Sequence, residues 1–296
     1  MMKYFLKSNH DMSEIEDDSI DCIVGSPPYN WQKNYGGVYN DKKPMDEYIE
    51  ELAASAREIY RVLSPDGGTF WLNIGDSLED LLKSHAVVEK AFLPAGFFLK
   101  QRIIWHRFNG RPSSIICTFK NNYEFVFLFT KDKNVKPRID KYLIGVPPSA
   151  RYGLDPRYRG VMEERKEKYG SVVVDRGSVW SLFSTPKGDF SYKGDEEFHE
   201  AEFPVELPYL CIRCSCFGDR KFRVLDPWLG TGTTFLAARI AMSLPYTHEG
   251  KERLLDLDVY GYEINPAFER NIKKKMSMPI PGLRFPGDGV RRLKSW

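Results

Sequence analysis

Apolar positions along the chain fall into runs whose spacing alternates between strand-like and helix-like. Residues 20–25, apolar apart from Asp21, read as a buried strand. Residues 44–63 then place Tyr48, Leu52, Ile59 and Leu63 at helical spacing, with Pro44 suited to a first turn. Ser64-Pro65-Asp66-Gly67-Gly68 predicts a turn, and Thr69 to Ile74 a strand. A helix is predicted over 78–92 and strands over 98–105 and 123–130. Such alternation predicts a mainly parallel sheet with helices on both faces.

From about residue 131 to 200 the pattern fails, except for a short helix at 160–169. It resumes with a helix at 203–217, a strand at 222–226, a helix at 232–243, a strand at 257–262 and a last helix starting near Pro266. The cations Lys273-Lys274-Lys275 fall near the end of that helix, where they suit its dipole. Three stretches follow: an α/β half (1–130), an insert (131–200) and a second α/β half (201–296).

Composition narrows this reading. The 296 residues, 42% hydrophobic and 28% charged, suit one large domain or a domain carrying an insert. The net charge of +2 does not announce nucleic-acid binding, so any such surface must come from local segregation. The window 131–168 supplies it, with 11 basic residues against six acids, Tyr142, Tyr152 and Tyr158 among them and Tyr169 just after. Cations that grip phosphates and rings that touch bases are one reading; a solvated face is the other. Five cysteines without a pairing frame predict a reducing, cytosolic setting. The start, MMKYFLKSNHD, holds no signal-peptide core. The Phe125–Phe129 run is too short to cross a bilayer, so no membrane partner is expected. Cys211-Ile-Arg-Cys214-Ser-Cys216 lacks a second pair of ligands and reads as packing, with no metal expected.

Two motifs carry chemistry. Asp226-Pro227-Trp228-Leu229-Gly230-Thr231-Gly232-Thr233-Thr234 is a strand end, a glycine turn and a helix start, where amides attract carboxylates or phosphates. The next strand ends on Glu263, the placement by which doubly wound folds hold a ribose. A third glycine and a GxxxxGK[ST] loop are both absent. A ligand with a ribose and a carboxylate but no pyrophosphate fits, and S-adenosyl-L-methionine is of that kind. The other motif is Ser26-Pro27-Pro28-Tyr29, where a buried strand stops on two prolines that stiffen its polar end.

Ser-Pro-Pro-Tyr followed about 200 residues later by Asp-Pro-aromatic-x-Gly-x-Gly-Thr-Thr resembles the permuted, beta-class DNA amino-methyltransferases of restriction–modification systems, N4-cytosine type. Gly67 to Asp76 resembles the family strand after the catalytic helix. Trp105 to Asn109, with Asn122-Tyr123-Glu124, resembles the segment lining the base pocket. His199-Glu200-Ala201-Glu202-Phe203-Pro204 resembles the HxAxFP element leading back to the cofactor motif. Asn9-His10 stands where the family has a glycine before Asp11, and Lys120 where an arginine is common.

The resemblance implies a Rossmann-like methyltransferase sheet, circularly permuted, with residues 131–200 as a target-recognition insert. It implies that Asp11, Phe203, Pro204, Asp226, Pro227, Gly230, Gly232, Thr233, Thr234 and Glu263 hold S-adenosyl-L-methionine. Trp105, Arg157 and Arg159 are expected at the DNA. The catalytic tetrapeptide would act on an amine whose lone pair is delocalised into the ring. Acceptors at Ser26 and a proline carbonyl would draw the amine towards tetrahedral geometry, ready for a sulfonium methyl. Tyr29 would stack on a base flipped out of the duplex, so phenylalanine there is expected to restore much of its role. N6-adenine enzymes of the same fold usually carry aspartate in place of Ser26, and are the alternative. An idle nucleic-acid-binding module is the other. Expected partners are duplex DNA and a restriction endonuclease sharing its site, in a prokaryotic cytoplasm, with the protein a monomer or homodimer.

Overall fold

The computed structural model describes residues 1–33, 37–77, 79–107, 119, 121–147, 159–182 and 202–280. Its strands are β1 (Met2–Phe5), β2 (Cys22–Gly25), β3 (Thr69–Ile74), β4 (Phe98–Arg107), β5 (Tyr123–Thr130), β6 (Val179–Leu182), β7 (Lys221–Asp226), β8 (Tyr246–His248), β9 (Lys251–Arg253) and β10 (Asp256–Tyr262). The α-helices are α1 (Met45–Val62), α2 (Lys83–Val87), α3 (Arg159–Tyr169), α4 (Glu206–Ser215), α5 (Thr233–Ser243) and α6 (Glu269–Ser277).

Eight strands form one sheet in the order β1-β10-β7-β2-β3-β5-β4-β6, and β8–β9 is a separate hairpin. Pairing is parallel throughout except at β5, which runs against both β3 and β4. Alternate side chains fill two cores. Cys22, Val24, Trp71, Val126 and Leu128 face α4 and α5. Ile23, Phe70, Leu72, Phe125, Phe127 and Phe129 face α1 and the segment after α2. Both faces are buried, which is why these strands read as unbroken apolar runs. The buried cysteines Cys22, Cys211, Cys214 and Cys216 belong to the first core, as packing residues, and burial pushes the Cys211, Cys214 and Cys216 thiols up.

The helix predicted at 78–92 forms later and less regularly. The Asp80 amide bonds Ser77 Oγ, the Leu82 amide bonds Asp80 Oδ1, and the Ser84 amide bonds Asp76 Oδ1. Side-chain acceptors compete with the helical ladder there. After α2 the chain takes a π-turn over Val88–Phe92 and a 3₁₀ turn over Leu93–Ala95. The apolar spacing does not predict the short strands β1 and β6 or the β8–β9 hairpin, because three or four residues leave too little periodicity.

Part of the 131–200 stretch is tied to the body. Strand β6 extends the main sheet beside β4, and Trp180 lies 5.9 Å from Trp71. Asp140 accepts from the Tyr169 hydroxyl at 2.8 Å and lies 3.3 Å from His248 Nε2, joining α3 to the hairpin. Several of its cations and rings already have partners: Lys131 pairs with Asp18, Lys141 with Asp175, and Arg165 donates to the Val173 carbonyl and the Tyr142 hydroxyl. The basic surplus facing outward is therefore smaller than the composition of the stretch suggests.

Candidate active site

Strands β2 and β7 lie side by side at the centre of the sheet, and the chain leaves them in opposite directions. The crevice beyond their carboxyl ends is the usual ligand site of an open α/β sheet. Here it joins the two motifs. A side chain on Gly25 would bring its Cβ within 2.8 Å of Trp228 Cε3 and 3.1 Å of Pro227 Cδ, so glycine is what lets the motifs pack together. Asn9 is buried and donates to the Pro227 carbonyl at 2.7 Å, while its own carbonyl accepts from Ser55 Oγ.

An open cleft of about 1150 Å³ runs across this junction, solvent at its mouth included. On one side it is lined by Phe203, Pro227, Gly230, Thr231, Thr233 and Glu263. Gly230 and Gly232 take φ values of 54° and 90°, which side chains resist, to turn the chain into α5. Glu263 sets the turn: its carboxylate accepts the Gly230 amide at 2.8 Å and the Asn265 amide at 2.7 Å. Burial raises its pKa, and the amides of Asn265 and Gly230 oppose that rise. With one amide on each oxygen, the carboxylate keeps lone pairs for ribose hydroxyls. The cradle therefore fits a nucleoside joined to an amino-acid tail.

Lys275, read from the sequence as a dipole-facing cation, is buried instead. It donates to Thr231 Oγ1 at 2.6 Å and Thr233 Oγ1 at 2.8 Å and pairs with Glu202 at 3.1 Å. Burial lowers its pKa, and Glu202 opposes that. The available signal was its position three residues after the fully buried Ile272, on the inner face of α6.

The other side of the cleft holds Ser26, Pro27, Pro28 and Tyr29. The Tyr48 hydroxyl donates to the Pro28 carbonyl at 2.6 Å, anchoring the turn to α1. The Tyr29 hydroxyl accepts from Ser26 Oγ at 2.9 Å. It lies 2.9 Å from Glu124 Oε2 and 3.0 Å from Asn73 Oδ1. It is a junction with hydroxyl partners of its own, which a phenylalanine there would lack. The loop that follows is strapped down: the buried Asp41 carboxylate accepts the amides of Asn30, Trp31 and Lys33. This holds Asn30 and Gln32 at φ values of 56° and 60° and sets Trp31 edge-on to Tyr29 at 4.8 Å. Residues 34–36 of this loop lie outside the described residues.

Other expected site residues fall elsewhere. Asp11 is exposed and paired with Lys7 at 2.8 Å, so Asn9 and His10 line the cleft in its place. The Lys7 ammonium and the Ser13 contact hold the Asp11 carboxyl down at about 2. Asp226 is buried behind the turn, bonded to Thr234 Oγ1 and the Trp228 amide, with burial raising its pKa to about 7. Asp226, Thr234 and Gly232 thus shape the cradle from behind, and the buried Pro204 flanks it next to Phe203. Trp105 is 3% exposed in the core beside β6, because β4 points it inward, and it cannot meet a base there. Arg157, the Arg159 side chain, Lys120, Phe108-Asn109 and His199-Glu200-Ala201 lie outside the described residues.

A family model for DNA methylases, of the N6 and N4 types, matches residues 20–274. The type II methyltransferase M.SmaI of Serratia marcescens is 28% identical over 282 residues, covering 81% of this chain and 86% of that protein. M.BglII, found in Bacillus subtilis, is 27% identical over 249 residues, which cover 82% of this chain and 64% of that longer protein. Among solved structures, the cytosine-N4-specific PvuII DNA methyltransferase superposes with a TM-score of 0.65 at 17% identity, over 93% of this chain and 86% of its own. A DNA modification methylase of Thermus thermophilus, solved with S-adenosyl-L-methionine, gives 0.55 at 22% identity, over 96% of both chains.

Proposed function

The chain belongs to the DNA methylase family, and from that premise we propose that it methylates the N4 amine of a flipped-out cytosine in duplex DNA. The observation that carries this reading is one cleft with Glu263 and the Gly230 turn on one wall and Ser26-Pro27-Pro28-Tyr29 on the other. The cofactor is S-adenosyl-L-methionine, which supplies an electrophilic methyl on a sulfonium. Glu263 receives its ribose hydroxyls, and Thr231, Thr233 and the start of α5 face its amino-acid tail. Phe203, Trp228 and Ile264 supply apolar walls.

Opposite, the chain prepares the amine. The Pro28 carbonyl already accepts from Tyr48, which favours the Pro27 carbonyl as the acceptor that joins Ser26 Oγ on the amine. Fixed acceptors on the two amine hydrogens favour the pyramidal nitrogen over the planar one, and their preorganisation lowers the cost of reaching it. The Tyr29 ring stacks on the base.

Serine at position 26 favours cytosine, since N6-adenine enzymes usually carry aspartate there. Residues 131–200 serve as the target-recognition insert, and the protein works in a prokaryotic cytoplasm beside an endonuclease of the same specificity. The test is to incubate the protein with unmethylated genomic DNA and S-adenosyl-L-methionine, then identify modified nucleosides in the digest by mass spectrometry. N4-methylcytosine is expected. N6-methyladenine would move the assignment to adenine, and no methylation together with no cofactor binding by calorimetry would leave only an idle DNA-binding module.

A further inference from the structure

Resting on that reading, we propose that Glu124 is a positioning residue that fixes, through Tyr29, which way the Ser26 hydroxyl points. A serine hydroxyl can donate or accept, and only the accepting orientation serves an amine that presents hydrogens. Nothing in the tetrapeptide itself decides between them.

The surroundings of Tyr29 decide. Its hydroxyl has one hydrogen and meets two acceptors, Glu124 Oε2 at 2.9 Å and Asn73 Oδ1 at 3.0 Å. Asn73 is held in this orientation because its amide nitrogen donates to the Phe125 carbonyl at 3.1 Å. The Tyr29 hydrogen therefore points to one of these acceptors. Its oxygen is left to accept, and Ser26 Oγ fills that role at 2.9 Å. With its hydrogen turned back to Tyr29, Ser26 shows only lone pairs to the cleft. The stronger of the two acceptors that set this direction is a carboxylate that is 7% exposed, at the amino end of β5.

This direction depends on the charge of Glu124. Burial raises its pKa, opposed by Arg107, Tyr29 and Asn73. Those are the polar groups facing it among the described residues: Arg107 Nη1 from β4 at 3.3 Å, Asn73 Nδ2 from β3 at 3.3 Å, and the Tyr29 hydroxyl. A protonated Glu124 becomes a donor to Tyr29. Tyr29 then donates to Asn73, and its oxygen is contested by two donors, which weakens the Ser26 bond and lets the Ser26 hydrogen turn towards the amine, where it repels. The active form is the ionised one, present above the pKa of Glu124 in the folded protein and lost as pH falls through it.

Glu124→Gln gives the test. With its carbonyl oxygen towards Arg107, glutamine turns its NH₂ to Tyr29 and mimics the protonated carboxyl at every pH. Initial rates of methyl transfer to unmethylated genomic DNA would be measured from pH 5.5 to 9, with cofactor affinity followed by calorimetry. The wild type should lose kcat on the acid side. Glu124→Gln should lower kcat at neutral pH by about tenfold or more, the order expected for one misdirected hydrogen bond to a charged group. Its acid limb should vanish, and its S-adenosyl-L-methionine affinity should stay unchanged. Tyr29→Phe should do the same, and adding Glu124→Gln to it should cost nothing further. A variant that binds cofactor normally but keeps the wild-type kcat and acid limb overturns the inference. A wild type that methylates no DNA at any pH overturns the functional reading itself.

Discussion

Glu263 does two things with one carboxylate, and separating them defines its contribution. It holds the amides of Gly230 and Asn265, and it faces the cleft where a ribose would lie. Glu263→Ala removes both roles, releasing two amides and loosening the turn. Glu263→Gln keeps one oxygen acceptor and loses the charge. We expect S-adenosyl-L-methionine affinity to fall by about 1.5–3 kcal/mol in the glutamine variant, the scale of hydrogen bonds to charged groups. The alanine variant should fall further and also melt earlier. Calorimetry on both variants checks this, and unchanged affinity in the glutamine variant would move the ribose away from Glu263. Lys275 likewise serves several partners at once, since one buried ammonium joins α6, both turn threonines and Glu202.

At the scale of elements, the described part of residues 131–200 is moored to the sheet by β6 and to the β8–β9 hairpin by α3. Lys131, Lys141 and Arg165 are committed to holding it in place. Among the remaining cations of the stretch, Arg157 and Arg159 are the candidates the sequence offers for a DNA contact. Reversing both to glutamate should weaken DNA binding and flatten its dependence on salt, because each lost phosphate contact removes about 0.9 from the log–log slope. Fluorescence anisotropy between about 50 and 300 mM salt, a range over which such contacts change affinity by orders of magnitude, reads this directly. An unaltered slope would leave these arginines as a solvated face.

For the molecule as a whole, the cradle depends on buried carboxylates that folding must keep out of water. Asp226 is fully buried, with its pKa raised to about 7. A carboxyl whose folded pKa lies above its unfolded value binds more protons in the native state. Its contribution is therefore favourable at acid pH and is lost as pH rises. The loss runs from about pH 4, where the unfolded chain ionises, to about pH 7, and is constant beyond. Asp226→Asn removes that slope, and Thr234 can turn its hydroxyl to accept from the new amide. Denaturant unfolding of the cofactor-free protein should show the variant gaining on the wild type between about pH 4 and 7, by up to about 4 kcal/mol at the top. A constant difference across that range would mean Asp226 is ionised throughout.

Local pattern was enough for β2, β3, β5, β7 and β10, and for α1 and α5, because each keeps a strand or helix spacing of apolar residues over most of its length. The two motifs were legible for the same reason: their chemistry lies in consecutive residues. Their meeting was not, since it depends on Gly25 admitting Trp228 and on β2 pairing with β7 across about 200 residues of chain. The sequence offered Asp11 and Trp105 by position in a resemblance. Tertiary structure chose Asn9 and turned Trp105 into the core, because a side chain's direction follows from strand register and loop path. It also joined Ser26, Tyr29, Asn73 and Glu124, which sit on three strand ends and a turn. Residue types and local conformations are written in neighbours along the chain. Hydrogen-bond direction and charge in a buried site are written only in neighbours in space.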